Sequence, residues 1–116
     1  MKFPIGFFAW ACASMALATF PANAQDLGPG FTKVKDGIYV YAAKDGNSTC
    51  SVVPTQEGPV VIDACQRPPD THRLMAGIKK LTDKSVRLVI DTEVHNDHTF
   101  GHWVFSAQVP GCVGEL

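Results

Sequence analysis

An α/β fold follows from three features of the chain. Short β-rich runs come first, an apolar segment with helical spacing follows them, and a further buried-type strand lies behind that segment. The strand–helix–strand order implies parallel pairing of its two strands, so antiparallel strands precede a βαβ unit. Composition agrees: of 116 residues, 46% are hydrophobic and 18% charged, which is ordinary for a globular protein. The net charge is −1, and lysine and arginine are scattered rather than gathered into a basic stripe. Nucleic acid is therefore not an expected partner.

The elements read off in order. Phe31-Thr32-Lys33-Val34 and Ile38-Tyr39-Val40-Tyr41 are short strand-like runs separated by Asp36-Gly37, a hairpin dipeptide. Lys44-Asp45-Gly46-Asn47 marks the next turn, Thr49–Val53 the next strand, and Thr55-Gln56-Glu57-Gly58 a second turn. Pro59-Val60-Val61-Ile62-Asp63 is a continuous apolar run, as in a strand covered on both faces. The period then changes. Leu74, Met75, Ile78 and Leu81 recur at three-to-four-residue spacing, predicting a helix over residues 69–84. Pro68-Pro69 and Asp70 or Thr71 supply its start signals, while Lys79, Lys80 and Lys84 suit its C-terminal end. Val86-Arg87-Leu88-Val89-Ile90 is the last strand, and a helix is expected to open at residues 99–105. One full helix is too few for a sheet that needs both faces covered, so the domain reads as incomplete.

Residues 1–24 read as a secretory signal peptide. Lys2 is the only charge there, a mostly apolar run covers residues 5–20, and Pro21-Ala22-Asn23-Ala24 offers small residues ahead of cleavage before Gln25. The apolar run, at about 16 residues, is shorter than the roughly 20 a membrane-spanning helix needs, so no stable membrane anchor is expected. The expected location is periplasmic or secreted. Residues 25–30 form a loose lead-in, 31–105 the domain, and 106–116 an irregular tail. Behind the leader lie Cys50, Cys65 and Cys112, with no Cys-x-x-Cys pair. A turn at residues 55–58 would set Cys50 and Cys65 on one face, diagonally offset. A bridge is one reading, and buried free thiols are the favoured one.

The chemical signal is Glu93-Val94-His95-Asn96-Asp97-His98, directly after the last strand. Ligands gather at the carboxyl ends of strands in α/β sheets. On extended chain Glu93, His95 and Asp97 share one side, and His98 turns in as the helix begins. Neutral imidazoles and ionised carboxylates are lone-pair donors at neutral pH, as metal ligands must be. The plainer reading is a polar loop in which Asp97 caps a helix.

The run Gly58-Pro59-Val60-Val61-Ile62-Asp63, the helix, Val86-Arg87-Leu88-Val89-Ile90-Asp91-Thr92 and His95-Asn96-Asp97-His98-Thr99-Phe100-Gly101 together resemble the metallo-β-lactamase superfamily. The similarity covers residues 31–105 and corresponds to the N-terminal half of that family's domain. It implies part of an αββα sandwich and a site for one or two ions, usually zinc. That family's loop reads Thr-His-x-His-x-Asp-His followed by glycine. Thr92 matches, His95 sits at the second histidine, and Asp97 and His98 match the aspartate and third histidine. The resemblance places His95 at a first metal and Asp97 and His98 at a second, with Asp97 also positioning water as the catalytic carboxylate. Asp63 matches an aspartate that supports the metal loop from behind the ligands.

Two departures stand out. Glu93 occupies the place of the first histidine. It supplies an oxygen ligand, which adds negative charge and shifts preference toward iron or manganese. The family also takes histidines from later in its chain, whereas only four occur here and none follows His102. His102 reads as a helix residue, and His72 as solvated and without a role. Two candidate ligands per ion, Glu93 with His95 and Asp97 with His98, fall short of about three. Weak binding, or an empty site, is expected.

The resemblance therefore implies a truncated hydrolase of this fold. Its ancestral activity is attack on an ester, thioester or lactam bond of a small-molecule substrate, impaired in this chain. The alternative is a non-catalytic remnant or small binding module of the same half-fold. Apolar sheet surface left bare would favour self-association.

Overall fold

The computed structural model describes residues 25–106. The leader with its cleavage site, and the tail from residue 107 with Cys112, lie outside the described residues. One mixed sheet runs in the order β1 (Phe31–Lys35), β2 (Ile38–Ala42), β3 (Thr49–Val53), β4 (Val60–Ile62) and β5 (Leu88–Ile90). The first four strands are antiparallel neighbours, and β5 pairs parallel with β4, with Val61 opposite Val89. The intervening helix α1 spans Pro68–Leu81. Two short helices, α2 (Asn96–Thr99) and α3 (His102–Ser106), follow β5.

Alternation sorts the sheet into two faces. Tyr41, Cys50, Val52, Val61 and Val89 point to one side and are buried against Leu74, Met75 and Ile78 of α1 and Phe105 of α3. Burying each aliphatic side chain contributes about 2 kcal/mol. The other side is half-buried at Val60 and Ile62 of β4 and exposed at Leu88 and Ile90 of β5. Gly77, an apparent weakness in α1, is where the Phe31 ring lies flush on the helix; a Cβ there would collide with it. Asp70 is buried in the first turn of α1 and accepts from the Tyr41 hydroxyl at 3.1 Å, Arg67 Nε at 3.1 Å and an Arg73 guanidinium nitrogen at 2.9 Å. Those bonds moor the helix start to the sheet.

Several expectations need correction. α1 ends at Leu81, three residues early, because Thr82 is extended and its hydroxyl accepts from the Lys84 backbone N–H, opening the turn toward β5. The lead-in at residues 25–30 is not loose. Leu27 is buried, Gly28 N–H donates to Asp26, Lys80 Nζ reaches the Asp26 carbonyl, and Gly30 accepts from Ala42. The single helix expected over residues 99–105 is two helices broken at Phe100-Gly101, and α3 continues through Ser106. Cys50 and Cys65 are not free thiols but a disulfide with Cα atoms 6.2 Å apart. Ser51 pairs with Ile62 at the end of the β3–β4 ladder, so both cysteines leave it on the buried face. A cross-link over 15 residues stabilises by about 3 kcal/mol through the unfolded chain.

Candidate metal centre

β4 and β5 end side by side, and the backbone N–H of Asp63 donates to the Ile90 carbonyl at 2.8 Å, just beyond their ladder. Asp63 has a φ of 65°, a left-handed conformation that turns its side chain toward the strand ends. There the buried carboxylate accepts from the Thr92 backbone N–H at 2.8 Å and from the Thr92 hydroxyl at 2.9 Å. His98 Nδ1 lies 3.0 Å from Asp63 Oδ2 and 3.1 Å from Thr92 Oγ1. A ring that donates Nδ1–H to Asp63 turns Nε2 the other way. Nε2 faces Glu93 Oε1 at 2.9 Å and Asp97 Oδ2 at 3.1 Å.

The hexapeptide is thus gathered, though not as alternation on extended chain suggests. α2 begins at Asn96, so Asp97 and His98 are consecutive helical residues that converge with Glu93. One ligand atom from each of these three residues lies within 4.8 Å of the others. His95 precedes the helix with its ring outward, and its Nδ1 sits 2.5 Å from Glu93 Oε2, the oxygen turned away from His98. Glu93 therefore meets His98 through Oε1 and His95 through Oε2. Asp63 stands behind the trio and touches it through His98. The N-cap of α2 is His95, which makes no side-chain cap bond, and Asp97 lies in the first turn.

The Asp63 carboxylate beside Nδ1 is the main cause that raises the His98 pKa above the usual imidazole value. Partial burial opposes the shift, while the charges of Asp63, Asp97 and Glu93 add to it. Protonated His98 offers Nε2–H to two carboxylates, so a proton holds the place that a cation between the three donors would take.

Three contributors escaped the sequence reading. Thr92 bridges Asp63 and His98 through its hydroxyl, a contact that its match to the family's loop alone did not reveal. His102 Nε2 lies 2.8 Å from Asp91 Oδ1, tying α3 to the end of β5; a histidine eleven residues after an aspartate carries no local signal. Gly101 sits where a Cβ would strike the Ala64 carbonyl oxygen and the Thr71 hydroxyl, and its N–H donates to the Cys65 carbonyl at 2.9 Å. His72 lies edge-on to Trp103, with ring centroids 6.4 Å apart.

Antiparallel strands, a βαβ unit and an acidic–imidazole loop at the tip of its second strand define part of a metallo-β-lactamase fold. Solved structures bear this out. The chain is similar to the metallo-β-lactamase FIM-1 from Pseudomonas aeruginosa in its mono-zinc form, at 19% identity and a TM-score of 0.53, over 67% of this chain and 37% of that one. A motif mutant of the metallo-β-lactamase from Cronobacter sakazakii matches at 19% identity and a TM-score of 0.55, over 66% and 30%. The metallo-β-lactamase from Hirschia baltica matches at 17% identity and a TM-score of 0.54, over 68% and 39%. At these identities the likeness establishes the fold. This chain spans about a third of the length of those structures. No family model and no curated protein matches the sequence.

Proposed function

We propose that this chain carries the cation cradle of a metallo-β-lactamase-fold hydrolase, with Glu93, Asp97 and His98 as ligands to one divalent ion. The observation that supports it most is the orientation of His98. Asp63 takes the Nδ1 side of the ring, and Nε2 points between two carboxylates. Metal-binding histidines are characteristically held this way, by a carboxylate on the far nitrogen. His98 Nε2 stands 2.9 and 3.1 Å from the two carboxylate oxygens, and all three donors lie within 4.8 Å of one another. Shifts of under about 1.5 Å bring them to the spacing of about 3.5 Å around a tetrahedral ion. The residues fit the group. Zinc is the first ion to test, given the mono-zinc form of the similar FIM-1 protein. Two oxygen donors to one nitrogen also suit manganese or iron.

A divalent ion at this place supplies acidity to a water, lowering its pKa toward neutrality. The chain's own residues do the rest. Asp63 holds a proton on His98 Nδ1, which leaves Nε2 as the lone-pair donor once the proton there is displaced. His95 holds Glu93 Oε2, so that Oε1 stays turned toward the cradle. Asp97 is partly exposed and is the carboxylate placed to accept a proton from an attacking water and orient it. The reaction class is hydrolysis of an ester, thioester or lactam bond in a small molecule.

A second reading, a metal-binding module without turnover, is favoured by Glu93. Its carboxylate adds a negative charge to the cradle and holds any bound water at a higher pKa than histidine would. Metal content measured by mass spectrometry after zinc or manganese loading tests the shared claim. About one ion per chain is expected, and it should be lost in Asp97→Ala and His98→Ala. Absence of binding in the oxidised, folded protein would overturn the cradle. Turnover of a chromogenic ester, thioester or lactam panel then separates hydrolase from binding module.

A further inference from the structure

Three consecutive residues, Asp63, Ala64 and Cys65, each grip the loop that carries the cradle. The Asp63 carboxylate accepts from Thr92 and faces His98 Nδ1. The Ala64 backbone N–H donates to the His98 carbonyl at 2.6 Å, and the Cys65 carbonyl accepts from Gly101 N–H at 2.9 Å. The segment is also held from behind, where the Ala64 carbonyl accepts from the Thr71 hydroxyl at 2.8 Å. Two of the three residues, Asp63 and Cys65, sit at φ of 65°, a left-handed conformation that cysteine seldom adopts. Such a conformation persists where its surroundings over-determine it. The one covalent constraint on the segment is the bond from Cys65 to Cys50.

We propose that the Cys50–Cys65 disulfide is a positioning cross-link for the metal cradle: it holds Cys65 left-handed, and through residues 63–65 it sets where His98 stands. β3 and β4 are already joined by backbone pairing from Ser51 to Val53, so the bridge adds least to the ladder and most just beyond it. Breaking the bridge lets Cys65 relax to negative φ, which swings its carbonyl away from Gly101 and loosens the grip on His98. In that step a small dithiol attacks one sulfur through its thiolate and the S–S bond breaks. The mixed disulfide then resolves. Two electrons and two protons end on the Cys50 and Cys65 thiols, and the reagent leaves as its own disulfide.

The positioning claim is independent of metal binding; its consequence for the ion rests on the function proposed above. Hydrogen exchange on the full, metal-free chain tests it, comparing oxidised protein with protein reduced by dithiothreitol and with the Cys50→Ala/Cys65→Ala variant. Exchange at the Ala64 and Gly101 amides should accelerate at least tenfold more than at Val52 and Val61. Uniform acceleration across all four amides, including outright unfolding of either form, would overturn the proposal, since the bridge would then hold the core and not the loop. So would unchanged exchange at Ala64 and Gly101. Zinc titration of the alanine variant, in which neither bridge sulfur can compete for the ion, should show ten- to hundredfold weaker binding than the oxidised protein. If the oxidised protein binds no zinc while exchange at Ala64 and Gly101 still accelerates selectively, the cradle reading falls and the positioning link stands.

Discussion

The back and the front of the cradle are built differently. At the back, Asp63 is buried, Thr92 meets it twice, and two backbone bonds clamp residues 64 and 65 to α2 and Gly101. At the front, the side chains of Glu93, Asp97 and His95 are 48%, 44% and 73% exposed, against 23% for His98. The front pairs stand in water, where charge–charge contacts are screened and contribute little to stability. The back thus carries folding energy, and under the proposed function the front carries affinity for the ion. A site can keep its shape through changes at the front and loses it through changes at the back.

Gly101→Ala should break the comparison most severely. Its Cβ would collide with the Ala64 carbonyl and the Thr71 hydroxyl, and backbone cannot give way as a side-chain tip does. A loss of about 3 kcal/mol in urea unfolding is expected, with the cradle lost as well. Stability within about 0.5 kcal/mol of the parent would show that α2 is not seated on residues 64–65. Next comes Asp63→Ala, which leaves the Thr92 N–H and hydroxyl without their buried acceptor. We expect about 2 kcal/mol of destabilisation and a ten- to hundredfold drop in metal affinity, read by urea titration and calorimetry.

A pH series sharpens the contrast without a mutation. The His98 pKa is raised in the folded chain, chiefly by Asp63. Its contribution to metal-free stability is therefore fully present below the unfolded-state value near 6.5 and is lost as pH rises through the folded value. Metal must displace the same proton, so affinity should climb over that window while metal-free stability declines. Paired unfolding and binding curves check this; stability that rises across the window would contradict the His98–Asp63 geometry. The smallest effect belongs to the front. His95→Ala should change stability by less than about 0.5 kcal/mol and weaken metal binding only through a freer Glu93. A large loss of stability would place His95 inside the structure rather than on its rim.

Much of this was legible along the chain. Period-two runs, the Asp36-Gly37 dipeptide and the helical spacing of Leu74, Ile78 and Leu81 are local signals, and each marks an element that forms. The continuous apolar run ending at Asp63 marked a strand that forms, but the cover on both faces that it suggested is only partial, since Val61 is buried while Val60 and Ile62 are half-buried. Alternation failed beyond β5, where α2 begins inside the ligand run and replaces a period of two with one of 3.6. Gly77 looked like a blemish because its partner, the Phe31 ring, is 46 residues away.

The sequence by itself determined which residue types could hold a cation and that they follow a strand tip, since both depend on composition and short-range periodicity. Only the tertiary structure decided which of them converge. Two parallel strands had to end level before Asp63 could reach Thr92 and His98 across 29 and 35 residues. The same closure decided that Cys50 and Cys65 are joined, because a bridge requires two Cα atoms within about 7 Å and no local pattern encodes that distance.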